Sequence, residues 1–157
     1  MPPVKPALDP GDLPARSTSA YPEPYRSRVL PRDKRALGNP LGLTHIGINL
    51  TTLMPGKESS MRHHHTLEDE FIFVVEGEVW LHTDEGEQRL GPGMCAGFPA
   101  GVANGHHLVN RGDHPARYLE ISNRHPEDSA SYPDDDLAYR KAPDGKPIFT
   151  RKDGTAY

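Results

Sequence analysis

The most informative segment of this chain reads His63-His64-His65-Thr66-Leu67-Glu68-Asp69-Glu70. On a strand, residues two apart project to the same side, so His63 and His65 can bind one ion. Glu70 can approach from the following stretch, and His106 from a strand much further along the chain. Three imidazoles and one carboxylate suit a divalent first-row metal ion.

The spacing of these residues matches a known motif. The pattern His63-x-His65-x4-Glu70-x6-Gly77 resembles the first motif of the cupin superfamily, G-x5-H-x-H-x3,4-E-x6-G, with one extra residue between Gly56 and His63. Either of the two cupin motifs alone would be a weak signal, so the second one matters.

The second cupin motif, G-x5-P-x-G-x2-H-x3-N, is matched in two parts, Gly93-x5-Pro99-x-Gly101 and His106-x3-Asn110. Four residues rather than two separate Gly101 from His106. Counting back from Asn110 selects His106 as the third histidine ligand, whereas counting forward from Gly101 selects Asn104. We favour His106, because an amide is a poor ligand for such metals.

The resemblance covers residues 42–123 and implies an all-β chain. A single cupin jelly-roll barrel is expected at 41–123, with a Pro-rich, partly disordered arm at 1–40 and a tail at 124–157 that packs on the barrel. The resemblance also implies one divalent metal ion per chain, bound by His63, His65, Glu70 and His106. Iron, manganese, nickel and zinc all fit, because residue types alone discriminate poorly among them.

Short strands punctuated by glycine and proline are predicted from the residues themselves. The apolar run 71–75 suits a strand buried on both faces, and tight turns are expected at 76–78 and 84–86. The other predicted strands are 44–51, 79–83, 88–90, 94–98, 106–110 and 116–122. Many short strands at close spacing indicate an antiparallel barrel or jelly roll, independently of the motifs.

Strand alternation predicts which side chains face the interior. If Glu70 faces inward, Ile72 and Val74 do so as well. On the return strand the inward set is either Val79, Leu81 and Thr83, or Trp80 and His82, the second set offering His82 as a proton shuttle. Tyr118, Glu120 and Ser122 share one face of the last strand, where a structural role is the stronger expectation. No second acid–base residue is evident; His64 and His107 point away and are read as non-ligands.

The two ends of the chain differ from its centre. Residues 1–40 hold nine prolines, so neither a helix nor a central strand is expected there, and residues 1–19 are predicted to be disordered. Residues 21–30 carry aromatic and aliphatic anchors and form either an arm on a barrel or a flexible linker. In the tail, 133–139 predicts a short helix and 147–150 an edge strand, and the tail either covers the barrel mouth or coats its outside.

Composition excludes several classes of function. Apolar residues make up 34% of the 157 residues and the formal net charge is -4, without the basic patch that a nucleic-acid surface requires. No stretch approaches the roughly 20 apolar residues of a membrane span, and no signal peptide is evident. The single Cys95 cannot form an intrachain disulfide, which favours the reducing cytoplasm, and its apolar neighbours predict a buried, inert thiol.

Three functions fit these observations. The first is a metal-dependent enzyme acting on a small molecule, of the oxygenase (dioxygenase-like), isomerase or lyase type, whose activity His63→Ala would abolish. The second is a non-catalytic module that binds or senses a small ligand. A storage role is disfavoured, because plant storage cupins carry two barrels. Unpaired outer strands and arm anchors at Tyr21, Tyr25, Val29 and Leu30 predict a homodimer.

Overall fold

The computed structural model describes residues 5–157, and almost all of its regular structure is β. The strands within these residues are β1 (Arg32–Ala36), β2 (Ile46–Leu53), β3 (His64–His65), β4 (Glu70–Glu76), β5 (Val79–Thr83), β6 (Gly86–Leu90), β7 (Cys95–Phe98), β8 (His107–Val109), β9 (Ala116–Asn123), β10 (Ser129–Ser131), β11 (Ala138–Lys141) and β12 (Pro147–Thr150). Over residues 5–157, regular helix is confined to α1 (Tyr25–Val29), with one 3-10 turn at Pro10–Asp12. The predicted all-β class and the strands between residues 44 and 122 are confirmed.

Three antiparallel sheets build the molecule. The largest has the strand order β1-β2-β9-β4-β7 and faces a smaller sheet of order β6-β5-β8. The main core lies between them and includes Leu53, Val74, Val79, Leu81 and Tyr118. The burial of Val79 and Leu81 decides the inward face of β5 in favour of the apolar set. Within residues 5–157 the sheets do not join into a closed barrel.

The turn between β4 and β5 requires glycine. Gly77 has φ +75°, a conformation that side-chain-bearing residues rarely adopt. A Cβ at this position would lie 2.8 Å from the Pro115 carbonyl oxygen and 2.9 Å from the Ala116 Cα. The closing glycine of the first motif therefore allows the β4–β5 turn to approach the chain that enters β9.

The C-terminal tail forms a third sheet instead of the predicted helix. Strands β10, β11 and β12 add to β3 in the order β12-β11-β10-β3. Residues 133–136 form a bend that leads into β11, so the helix prediction is wrong, whereas the edge strand at Pro147–Thr150 is confirmed. Arg62 holds this bend, because its guanidinium donates to both Asp134 carboxylate oxygens at 2.7 and 2.9 Å.

The N-terminal arm packs on its own chain. Tyr21, Tyr25 and Val29 are buried in a second core with residues of the tail. Arg16 pairs with Lys34 through two backbone hydrogen bonds of 2.8 and 3.0 Å, which attaches the arm to the edge strand β1. The helix α1 and this pairing differ from the prediction of an irregular arm, since apolar anchors and the free edge of β1 supply the contacts. Of residues 1–19, which were predicted to be disordered, Pro10–Asp12 form a 3-10 turn and Arg16 pairs with Lys34, whereas residues 1–4 lie outside the described residues.

The outer face of the largest sheet differs from its predicted environment. Phe71, Phe73 and Val75 alternate with buried side chains on β4 and remain between 38% and 44% exposed, so this strand is buried on one face only. Cys95 is exposed as well, and the prediction of a buried thiol is wrong. Cys95 lies on the edge strand β7, where it pairs with Phe73 of β4 and shares its outward face. No helix within residues 5–157 is long and apolar enough to cross a membrane.

Candidate metal centre

The three predicted histidine ligands converge on the carboxylate of the fourth, Glu70. Its Oε2 lies 2.5 Å from His106 Nε2 and 3.4 Å from His63 Nε2, while its Oε1 lies 3.4 Å from His65 Nε2. The backbones of His63 and His106 exchange two hydrogen bonds of 3.1 and 2.9 Å, which brings the two motifs together. His63, Glu70 and His106 offer donor atoms close enough to share one ion, and His65 adjoins them.

The outer nitrogens of two of these imidazoles have acceptors. His63 Nδ1 donates to the Met61 carbonyl at 2.8 Å, and His65 Nδ1 donates to Asp128 Oδ2 at 2.6 Å. A proton held at Nδ1 leaves the Nε2 lone pair free to bind a metal. The two Nε2 atoms point to Glu70, so the donor set fits a divalent ion.

His106 is held differently. Its ring stacks on Phe98 with the centroids 3.6 Å apart and the planes within 2°. Its Nδ1 is buried and has no hydrogen-bond partner among residues 5–157. Its orientation therefore depends on packing and on Glu70, which distinguishes it from the other two histidines.

The charges of the cluster match a cation site. Burial raises the pKa of Glu70, but the hydrogen bonds from His106, His63 and His65 outweigh it and hold that pKa well below its usual range. Burial lowers the pKa of His65, yet Asp128 and Glu70 outweigh it and raise that pKa to about 10. Burial lowers the pKa of His106. Glu70 is therefore ionised, as a metal ligand must be, whereas His65 has to lose a proton before its Nε2 can bind a cation, so metal binding here releases a proton.

Asp128 is a site residue that the sequence did not indicate. It is almost completely buried after β9 and, besides its bond to His65, accepts hydrogen bonds from the backbone N–H groups of Leu67 and Glu68 at 2.9 and 3.1 Å. The Glu68 carboxylate pairs with the ammonium of Lys141, so this neighbouring carboxylate already has a cation. Contacts over 60 residues apart leave no local sequence signal.

One cavity of about 540 Å³ contains the metal-ligand cluster. Tyr21 from the arm and Tyr132, Tyr139 and Phe149 from the tail form one wall. The Tyr132 ring lies 5.8 Å from the His63 ring, and the Tyr139 ring 6.3 Å from the His65 ring. The tail thus covers the site, which decides between the two positions left open by the sequence.

A second charged group lines the same cavity. Lys34 Nζ lies 2.8 Å from Glu120 Oε1 and 3.1 Å from Oε2, and the Thr51 hydroxyl donates to Oε1. Burial raises the pKa of Glu120, but Lys34 and Thr51 outweigh it and lower that pKa. Burial lowers the pKa of Lys34 despite its partner. Glu120 was one of the polar candidates that the sequence placed on one face of the last strand, whereas Lys34 belongs to the arm and was missed.

Other predicted candidates lie elsewhere. His107 Nδ1 donates to the Ser60 carbonyl at 2.9 Å, and the His82 ring lies 5.5 Å from the His107 ring but does not line the cavity that holds the ligand cluster. His82 therefore has no contact that would make it a proton shuttle here. The side-chain oxygen of Asn104 accepts a hydrogen bond from the Asp84 backbone, outside the ligand cluster.

Comparisons with known proteins identify the family and the fold. The family model described as a cupin domain matches residues 49–122. A solved structure from Silicibacter pomeroyi, named a sugar phosphate isomerase of the cupin superfamily, is 42% identical, with a TM-score of 0.91 and 96% of each chain covered.

More distant structures share the fold. A candidate sugar phosphate isomerase from Acidithiobacillus ferrooxidans is 29% identical, with a TM-score of 0.71 and 80% of each chain covered. A polyketide cyclase from Streptomyces resistomycificus is 21% identical, with a TM-score of 0.62 over 74% of this chain and 78% of that one, and its likeness concerns the fold alone. No curated protein matches the chain.

Proposed function

The chain belongs to the cupin superfamily, and on that premise we propose that it is a metal-dependent isomerase of a small phosphorylated sugar. The observation that carries the proposal is the single cavity that holds both the imidazole–carboxylate cluster and the Lys34–Glu120 pair. Proton transfer next to a carbonyl requires a group that polarises the carbonyl oxygen, such as a bound metal, and a separate acid–base group that moves the proton.

His63, His65, Glu70 and His106 would hold one divalent ion of iron, manganese, nickel or zinc per chain. When bound, such an ion polarises a substrate carbonyl or hydroxyl oxygen. The imidazoles whose outer nitrogens are bonded to Met61 and Asp128 keep their orientation without the ion, so the protein itself presents the donors.

The charges around the cavity favour an anionic substrate. Its wall includes the cations Arg16, Arg32 and Lys34 against the carboxylates Glu70 and Glu120. Arg32 is buried, and its Nε has no hydrogen-bond partner within residues 5–157. A bound divalent ion would add to the positive charge of the cavity, and a phosphate group of the substrate would offset that charge. The name of the 42% identical relative supports a sugar phosphate in particular.

The reaction type is proposed from the same relative. Isomerisation needs no oxidant. The relatives from Silicibacter pomeroyi and Acidithiobacillus ferrooxidans are named as a sugar phosphate isomerase and a candidate sugar phosphate isomerase, which favours isomerisation over the dioxygenase chemistry predicted from the sequence. The alternative of a non-catalytic binding module rested on the lack of an acid–base partner, and Glu120 now supplies a candidate. That alternative becomes an outcome of the assay.

The proposal is tested with untagged protein. Metal content is measured first, and the loaded protein is then incubated with ribose 5-phosphate, glucose 6-phosphate and mannose 6-phosphate while NMR follows aldose and ketose forms. We expect about one metal equivalent and interconversion of at least one pair. His63→Ala should lose both, whereas His64→Ala, a neighbouring residue outside the ligand set, should keep both. Binding without interconversion across the panel would instead support the non-catalytic module.

We also propose a homodimer, located in the cytoplasm, where a free thiol such as Cys95 remains reduced. Three of the four arm anchors, Tyr21, Tyr25 and Val29, are buried within the same chain and no longer support it. The exposed apolar face at Phe71, Phe73 and Val75 supports it instead, because exposed apolar surface of this kind marks association sites. No nucleic acid or membrane partner is proposed.

A further inference from the structure

We infer that Glu120 is the catalytic base of the cavity, transferring a proton between adjacent carbons of the substrate while Lys34 holds its carboxylate. The inference rests on the proposed isomerase function and deepens it by assigning the residue that moves the proton. It differs from the sequence expectation, in which Glu120 had a structural role and no acid–base residue was evident.

The position of Glu120 follows from strand register. Glu70 on β4 pairs with Ser122 on β9, and Ile72 pairs with Glu120. Glu120 is therefore two residues from the level of the metal-ligand cluster, on the same face of the sheet, at a backbone separation of about 7 Å along the strand. A small molecule that touches the Nε2 cluster can reach this carboxylate.

The surface of Glu120 is open to a ligand. Its side chain is 28% exposed and Glu70 is 25% exposed, although both face inward and line the cavity. Tyr118, the neighbouring inward residue on β9, is 1% exposed. Glu70 contacts three imidazoles, so Glu120 is the cavity carboxylate that remains outside the ligand cluster.

Lys34 fixes the orientation of the base. Its ammonium contacts both carboxylate oxygens, and its backbone is held in turn by the paired Arg16 of the arm. The pair keeps the carboxylate ionised, which a base requires. The arm thus contributes to the active site through β1, although it lies outside the segment that carries the cupin motifs.

The reaction step is balanced without an added reagent. The C–H bond next to the substrate carbonyl breaks and its proton moves to a Glu120 oxygen, while the electron pair forms an enediolate. Glu120 then returns a proton, either the one it took or one exchanged with solvent, which forms a C–H bond at the former carbonyl carbon, and a hydroxyl proton passes from one substrate oxygen to the other. The substrate is oxidised at one carbon and reduced at the next, so no external oxidant takes part.

The test compares variants in heavy water with the sugar phosphate that the wild type converts. Glu120→Gln should keep the metal content and a KM within about threefold of wild type, and lose roughly 100- to 10,000-fold in kcat, together with deuterium incorporation at the carbon next to the carbonyl. Glu120→Asp keeps the charge opposite Lys34 and covers the case in which Glu120→Gln fails to fold. It should lose about 10-fold or more in kcat, because its carboxylate is one methylene shorter. Glu85→Gln, on the exposed β5–β6 turn, is the matched control.

The outcomes separate the two proposals. A Glu120→Gln variant with near-normal kcat and deuterium incorporation would overturn this inference and leave the isomerase intact. A lower thermal stability with unchanged kcat would also overturn it, because the pair would then act structurally. A wild-type protein that converts no aldose phosphate would overturn both proposals.

Discussion

The two faces of the largest sheet depart from those of an ordinary sandwich, because polar side chains share the inward face with the core and aromatic side chains remain exposed on the outer face. On β4 and β9 the inward face carries Glu70, Glu120 and Ser122 beside a limited apolar core, whereas the outward face carries Phe71 and Phe73. Buried polar groups are costly unless they are paired, and exposed aromatic side chains are usually covered. This distribution suits the two proposals, a polar ligand bound in the interior and a second copy of the chain on the outer face.

The largest effect should separate neighbours on opposite faces. Glu70→Ala removes the carboxylate on which the three imidazoles converge, so metal content and isomerase activity should fall to background. Phe71→Ala alters the other face at the next residue and should keep both. Elemental analysis of the two purified variants makes the comparison, and a metal-loaded Glu70→Ala protein would remove Glu70 from the ligand set.

The next prediction disrupts the proposed dimer by introducing a charge on the outer face. Phe73→Asp places a carboxylate in the exposed apolar patch of each copy, and we expect the Kd of the dimer to rise on the order of 100-fold. Sedimentation velocity at micromolar concentration should show a wild-type dimer and a monomeric variant with unchanged metal content. A monomeric wild type would contradict the homodimer, and a dimeric variant would place the interface elsewhere.

The support of the inner face is tested at Asp128. Asp128→Asn removes the carboxylate that bonds His65 Nδ1, which should weaken metal binding about 10- to 100-fold. Glu127→Gln, the exposed neighbour, should leave metal affinity unchanged. Competition with a chelator measures both variants. Equal affinities would mean that Asp128 serves only the backbone groups of Leu67 and Glu68.

The smallest effect compares adjacent valines. Val74 is fully buried, so Val74→Ala should lower the free energy of unfolding by about 1–3 kcal/mol through lost contacts and a residual cavity. Val75 is on the outer face, and Val75→Ala should cost under about 0.5 kcal/mol in dilute, monomeric protein. Urea unfolding gives both values. A similar cost at Val75 under dimeric conditions would indicate that the partner buries it.

Local patterns account for much of the fold. Turn residues and apolar alternation locate β2 and the strands from β4 to β9, because chain reversal and side-chain alternation are short-range properties. The helix predicted at 133–139 failed, because Arg62 holds Asp134 in a bend and the following residues pair with β10 and β12. Tertiary pairing overrode a local helix-start signal there.

The candidate site divides along the same line. The spacing of the two motifs predicted the convergence of His63, His65, Glu70 and His106. Two histidines spaced two residues apart on an extended segment project to the same side, so their spacing alone fixes their relative orientation. Asp128 and Lys34 join the site from 63 and 86 residues away from their partners His65 and Glu120, so no local pattern marks them.

By itself the sequence determined the all-β class, the cupin resemblance and the four candidate metal ligands, because periodicity and motif spacing are written in neighbouring residues. Only the tertiary structure decided that the tail covers the cavity, that the arm anchors Lys34 beside Glu120, and that the apolar run of β4 is exposed on one face. These features depend on which distant strands pair, and pairing is set by the packing of the whole chain.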